Sequence, residues 1–130
     1  MKKEEGQKPT ELHHYTTAQG FKGISDSKEI FASTKAKRAA DARHGDGQYF
    51  SDIKPNTLTP EDLSMILFGG PQNFNRCKYF FSINVTALEV NSPVEYIFVL
   101  PNEGPLDISD IINAAGENIG PPSENSEEVA

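Results

Sequence analysis

Apolar residues alternate at Tyr79, Phe81, Ile83 and Val85, with Phe80, Ser82 and Asn84 between them. This period of two predicts a strand over 78–85. A shorter alternation, Leu12-His13-His14-Tyr15-Thr16, predicts a second strand with Leu12, His14 and Thr16 on one face and His13 and Tyr15 on the other. Val94 to Leu100 is nearly continuous in apolar residues, with one acid, Glu95, set into it. It reads as a third strand after a turn at Asn91-Ser92-Pro93. Gln48 to Ile53 is a fourth, stopped by Pro55. Glu29 to Ser33 reads as a short extended piece, and 106–112 as a last short strand or helix.

Helical spacing is rarer. Ala18, Phe21 and Ile24 recur at a helical interval, and Thr16 with Gln19 fits a capping box, which predicts a helix to about Ser27. Thr59-Pro60-Glu61-Asp62 combines a threonine cap, a proline at the first helical position and acids in the first turn. Leu63, Ile66 and Leu67 supply its buried stripe, and Gly69-Gly70 its stop. The polar, alanine-rich stretch from Thr34 to Arg43 reads as a helical turn or a loop, and 71–76 as a loop. Some five short strands and two or three small helices place the chain in the α+β class rather than the βαβ class.

The chain has 130 residues and is 36% hydrophobic, enough for one domain with one core. Residues 1–10 and 116–130 are polar and read as tails, the second acidic, leaving a domain over 11–115. The formal charge of −7 gives no footprint for duplex nucleic acid. Lys35, Lys37, Arg38 and Arg43 form the one basic run, read either as a solvated face or as a place for a small anion. Cys77 stands alone, so no intrachain disulfide forms. No apolar run reaches membrane-spanning length and the N-terminus has no signal-like stretch. A cytoplasmic protein that engages no membrane is expected.

Three stretches carry candidate chemistry. Gly45-Asp46-Gly47 feeds directly into Gln48-Tyr49-Phe50-Ser51, placing an aromatic beside a flexible turn. Without a third glycine and a following helix, it is not a dinucleotide fingerprint of the Rossmann kind. Glu95 lies in a strand that otherwise favours burial. It is either an edge acid facing solvent or a carboxylate at a cleft, because an unpaired buried acid costs several kcal/mol. His14 shares a face with Leu12 and Thr16, while His13 is expected to face solvent. A zinc site from His13, His14, His44 and Cys77 is disfavoured, since neighbouring strand residues point opposite ways.

As an ordered set, these stretches resemble an ADP-ribosyltransferase domain of the His-Tyr-Glu class. The class includes diphtheria-like toxins and poly-ADP-ribose polymerases. The resemblance is nearest to a polymorphic-toxin subgroup described by a His-Tyr-Asp signature. Ala42 to Gly47, Leu63 to Gly69 and Pro101 to Asp107 add to it, and it spans residues 12–112. It implies a split β-sandwich of short strands with two or three small helices, and NAD+ as substrate, with no metal. It further implies transfer of single ADP-ribose units to a macromolecule, protein rather than nucleic acid, and a neutralising partner.

The catalytic set implied is His14, Tyr49 and Glu95. His14 is to bond the adenosine ribose, Tyr15 to hold the nicotinamide amide through its backbone, and Tyr49 to stack on the nicotinamide. Glu95 is to bond the nicotinamide ribose and stabilise its developing positive charge. Thr16, Gly45, Gly47 and Ser51 complete the binding set. Asp107 is an alternative acid, and an aspartate of the subgroup falling at Asn84 meets an amide here. His13 replaces His14 if the register slips by one. NAD+ hydrolysis, or NAD+ binding without catalysis, are the rival readings.

Overall fold

A computed structural model describes residues 8–121. Eight strands run in chain order: β1 (Glu11–Thr16), β2 (Glu29–Ile30), β3 (Gly47–Phe50), β4 (Tyr79–Asn84), β5 (Asn91–Val94), β6 (Ile97–Pro101), β7 (Leu106–Asp107) and β8 (Ile112–Glu117). They form three antiparallel sheets, ordered β1-β4-β8, β2-β7 and β3-β6-β5. The helices are α1 (Ala18–Ser27), α2 (Lys35–Arg38) and α3 (Pro60–Phe68), with 3-10 turns at Ala39–Ala42 and Pro71–Cys77. The α+β architecture expected of the alternating and helical patterns is the one that forms.

Local chemistry explains the ends of these elements. The Thr59 hydroxyl accepts from the Asp62 amide at 3.1 Å, Pro60 opens α3, and Gly69 closes it in the left-handed region at φ 80°. At α1 the cap is Thr17, which accepts from the Gly20 amide at 3.0 Å, one residue later than the expected Thr16. Thr16 is still the last residue of β1 and is held in its ladder opposite Tyr79.

The alternation over 79–85 predicts one buried face, yet Phe80, Phe81, Ser82 and Ile83 are all buried. β4 is the central strand of its sheet, covered on both faces. Phe81, Leu12, Ile83, Val85, Phe50 and Phe98 join Ile24, Ile30 and Ile108 in one core. Phe21 of α1 stacks on Phe81 at 5.0 Å between centroids, so the helix packs on the sheet through its apolar stripe.

Several expectations are corrected. Asn91-Ser92-Pro93 is strand rather than turn, and the apolar run after it is broken. β5 and β6 form a hairpin whose two-residue turn is Glu95-Tyr96, with Tyr96 at φ 72°. Pro93 fits because β5 is an edge strand. Strand structure continues past residue 116, where the acidic tail is expected to start. β8 runs through Gly116, whose position opposite Phe80 leaves ordinary contact for the ring, and Asn118 is buried with its amide donating to the Cys77 carbonyl at 3.0 Å. At the other end, the Thr10 carbonyl accepts from the Val85 amide at 2.9 Å, so order extends into the expected first tail. The remaining tail residues, 1–7 and 122–130, lie outside those described. The expected loop at 71–76 is a 3-10 segment, entered through Pro71.

Candidate active site

The first and third sheets are joined where β1 meets the end of β3. The His13 amide donates to the Ser51 carbonyl at 2.9 Å and the Ser51 amide to the His13 carbonyl at 2.8 Å. These backbone groups of His13 point away from β4. By the period of the strand, those of Tyr15 point the same way. The two strands pair only at this bridge, so Tyr15 offers its backbone to a gap between the sheets. The gap widens into a cleft of about 440 Å³, within the roughly 300–1,000 Å³ of small-molecule sites.

His14 and Tyr49 meet there, although they are 35 residues apart. Nδ1 of His14 lies 2.9 Å from the Tyr49 carbonyl oxygen. A carbonyl only accepts, so Nδ1 carries the proton. Burial, first of all, pushes the His14 pKa below its ordinary 6.5, and the charge of Arg76 adds to this, against the Tyr49 hydrogen bond. The ring is therefore neutral at pH 7 and Nε2 presents a lone pair. It can accept from a hydroxyl.

The Tyr49 ring is fixed through its oxygen. It donates to the Gly45 carbonyl at 2.7 Å and accepts from the His44 amide at 2.8 Å. The glycine turn thus acts by holding the tyrosine; Gly45 and Gly47 are not among the residues lining the cleft. Gly45, at φ 106°, makes the bend. At Gly47 the Leu100 carbonyl comes so close that a Cβ would lie 2.1 Å from its oxygen.

Tyr15 and Ser51 line the cleft, and Thr16 lines an adjoining hollow. The Tyr15 hydroxyl is committed to the Ile53 carbonyl at 2.7 Å, which leaves its backbone as the part that serves a ligand. His13, expected to face solvent, is only 3% exposed, and its Nδ1 lies 2.7 Å from the Ser82 hydroxyl. The bridge to Ser51 covers what would otherwise be the open edge of β1. Both histidines line the cleft; Nδ1 of His13 is tied to Ser82 and Nδ1 of His14 to the Tyr49 carbonyl.

The third expected member stands apart. Glu95 is exposed, sits on the hairpin turn rather than inside a strand, and is not among the residues lining the cleft. Its negative charge, and secondly a hydrogen-bonding interaction with the Tyr96 hydroxyl, raises the Tyr96 pKa. In sequence Glu95 is two residues from Ile97, the first residue of β6. Tyr49 pairs with Val99 and Phe50 with Phe98. Ile97 is in phase with Val99 and lines the cleft, but Tyr96, at φ 72°, ends that alternation before Glu95. Asp107 is spent on Ser109, whose amide and hydroxyl donate to it at 2.9 and 2.7 Å, and Asn84 accepts from the Thr86 amide at 2.9 Å. Neither lines the cleft.

A family model described as a HYD1-signature-containing ADP-ribosyltransferase matches residues 12–112. The chain belongs to this family. No curated protein and no solved structure matches it. The match begins at Leu12 in β1 and ends at Ile112 in β8, so it takes in every strand that builds the cleft. The domain's small antiparallel sheets and few short helices suit an ADP-ribosyltransferase-like fold. ADP-ribosyltransferases use NAD+ as substrate. Among the described residues, no group of three His, Cys, Asp or Glu side chains is placed to hold a metal ion.

The domain also brings to the cleft residues that periodicity does not reveal. Asp41, Arg43 and Arg76 line it, with Arg76 Nη1 on Asp41 Oδ1 at 3.1 Å and the guanidinium over the Phe68 ring at 4.7 Å from its centroid. Arg43 came from the basic run noted in the sequence. Asp41 and Arg76 lie in 3-10 turns that have no hydrophobic period. Cys77, next in the chain, is buried with its thiol pushed up to about 12 by desolvation, which makes it a poor nucleophile.

Proposed function

We propose that this domain breaks the nicotinamide–ribose bond of NAD+ and transfers the ADP-ribosyl group, one unit at a time, to a macromolecule, a protein rather than a nucleic acid. The observation that carries the reading is the lock between His14 and Tyr49. One contact fixes an acceptor nitrogen and places it beside the aromatic ring that lines the same cleft. NAD+ fits this set of groups. His14 Nε2 accepts from a ribose hydroxyl, the Tyr15 backbone meets the carboxamide, and the Tyr49 ring offers a flat surface to the nicotinamide.

The bond that breaks joins C1′ of the ribose to the pyridinium nitrogen. Its electron pair leaves with nicotinamide, which becomes neutral, so little acid catalysis is needed. The sugar becomes oxocarbenium-like, and a carboxylate near it favours the transition state over the ground state. Glu95 is assigned that role. The acceptor's nucleophile then bonds to C1′ and gives up its proton. The transferase acts in a cytosol, and a partner protein neutralises it there.

Labelled NAD+ incubated with the domain and a cell lysate tests this. Nicotinamide release with label on protein is the expected result, and it stops in His14→Ala. Free labelled ADP-ribose with unlabelled macromolecules reassigns the domain as a glycohydrolase. Tight NAD+ binding without nicotinamide release makes it a binding module.

A further inference from the structure

Beside the cleft lies a second hollow, of about 520 Å³, bounded by β1, the Gly20–Gly23 side of α1 and the chain at Phe31. Four residues line both spaces: His14, Tyr15, Ser33 and Arg76. Among those four, Arg76 alone carries a permanent charge. Each space is large enough for a nucleoside-sized group. Each offers a ring to it, Tyr49 in the first and Phe31, 63% exposed, in the second. Two hollows with a cation between them match a ligand made of two nucleosides joined by a diphosphate.

The geometry points to Arg76 as the residue that binds the diphosphate of the dinucleotide, with the two nucleoside halves lying in the hollows on either side. This rests on the NAD+ reading above and adds the group that spans the two spaces. Arg76 is held ready for that task. Asp41 meets the guanidinium at one corner, Nη1, and Phe68 supports its face. A guanidinium has five N–H donors in a fixed fork, so donors remain for phosphate oxygens after Asp41 has taken its share. The side chain is 37% exposed, so a ligand can reach it. A chain with a formal charge of −7 repels anions at a distance. It therefore needs a local cation where a diphosphate is to sit, and Arg43 and Arg76 outnumber Asp41 at the cleft.

The test is calorimetric binding of NAD+, ADP-ribose, inorganic pyrophosphate, nicotinamide and adenosine to the whole chain and to Arg76→Gln and Arg76→Lys. Loss of a charged hydrogen-bonding partner is expected to weaken NAD+ and ADP-ribose roughly ten- to hundred-fold in Arg76→Gln. Nicotinamide and adenosine should bind as before. Arg76→Lys should recover part of the affinity, as a point charge without the fork. Pyrophosphate should compete with ADP-ribose for the parent chain and not for Arg76→Gln, and the salt dependence of ADP-ribose binding should flatten in that variant. A urea midpoint for each variant separates misfolding from lost contact. Unchanged ADP-ribose affinity in folded Arg76→Gln overturns the assignment while leaving the NAD+ reading intact, as does equal loss of adenosine and ADP-ribose. Failure of the parent chain to bind NAD+ overturns both.

Discussion

Nδ1 of His14 donates to the carbonyl oxygen of Tyr49 at 2.9 Å, so the imidazole of β1 is anchored on the strand that carries the aromatic ring. The contact decides the tautomer, and the tautomer decides what Nε2 can do. It also crosses the gap between two sheets that pair only at His13 and Ser51. A single hydrogen bond thus closes one end of the cleft and sets the chemistry of its wall.

Tyr49 has two separable parts. Its hydroxyl holds the loop at His44 and Gly45, and its ring lines the cleft. Tyr49→Phe keeps the ring and loses the loop anchor, so it should cost about 1 kcal/mol of stability and leave measurable nicotinamide release. Tyr49→Ala should abolish that release. Equal activities for the two variants in a release assay would remove the ring from the account.

Acid should weaken both the protein and its activity. His13 and His14 both sit below the ordinary value of 6.5, with desolvation the largest cause for each. Each group binds a proton less readily when folded than when unfolded. Their contribution to stability is therefore complete above pH 6.5 and is lost as the pH falls through the folded values. Urea midpoints should fall as the pH drops below the unfolded value of 6.5, and nicotinamide release should fall further down, through the lowered folded value of His14, because a protonated Nε2 donates where it must accept. His14→Asn should lose activity and flatten the activity profile, but His13 keeps part of the stability profile sloping.

Gly47 is constrained by space. A Cβ there would lie 2.1 Å from the Leu100 carbonyl oxygen, which is backbone and cannot swing aside. Gly47→Ala should destabilise the domain by about 2 kcal/mol or more, read as a lower urea midpoint. A similar substitution at Gly104, where nothing lies within 4 Å, should cost far less.

The role proposed for Glu95 is catalytic and not structural. It is exposed on a turn, so Glu95→Gln should change stability by no more than about 0.5 kcal/mol. Nicotinamide release should nevertheless fall at least about a hundred-fold, with NAD+ affinity retained. Full turnover in the variant, measured at saturating NAD+, would leave the acid of the reaction unassigned.

Some of this could be read in the chain before any coordinates. α3 carries cap, proline, acids and terminal glycines together, and each signal acts within one or two turns. His14 lies on a strand whose alternation could be read, and Tyr49 on one bounded by the glycine turn and Pro55. The hairpin at Glu95-Tyr96 was hidden because Val94 to Leu100 is apolar on both sides of the turn, and Tyr96 takes a positive φ without a glycine to announce it. The burial of His13 depends on Ser51, 38 positions away. Asp41 and Arg76 find each other across 35 positions in segments with no period. Local propensity records none of these distant pairings; only the packed chain does.

The most direct measurement is a crystal structure of the domain with NAD+, or with nicotinamide if NAD+ is consumed. The account predicts a nicotinamide ring lying against Tyr49 with its carboxamide on the Tyr15 backbone, and, with NAD+ intact, a ribose hydroxyl at His14 Nε2. Clear density for the ligand at another surface, with the cleft between β1 and β3 left to water, would contradict it.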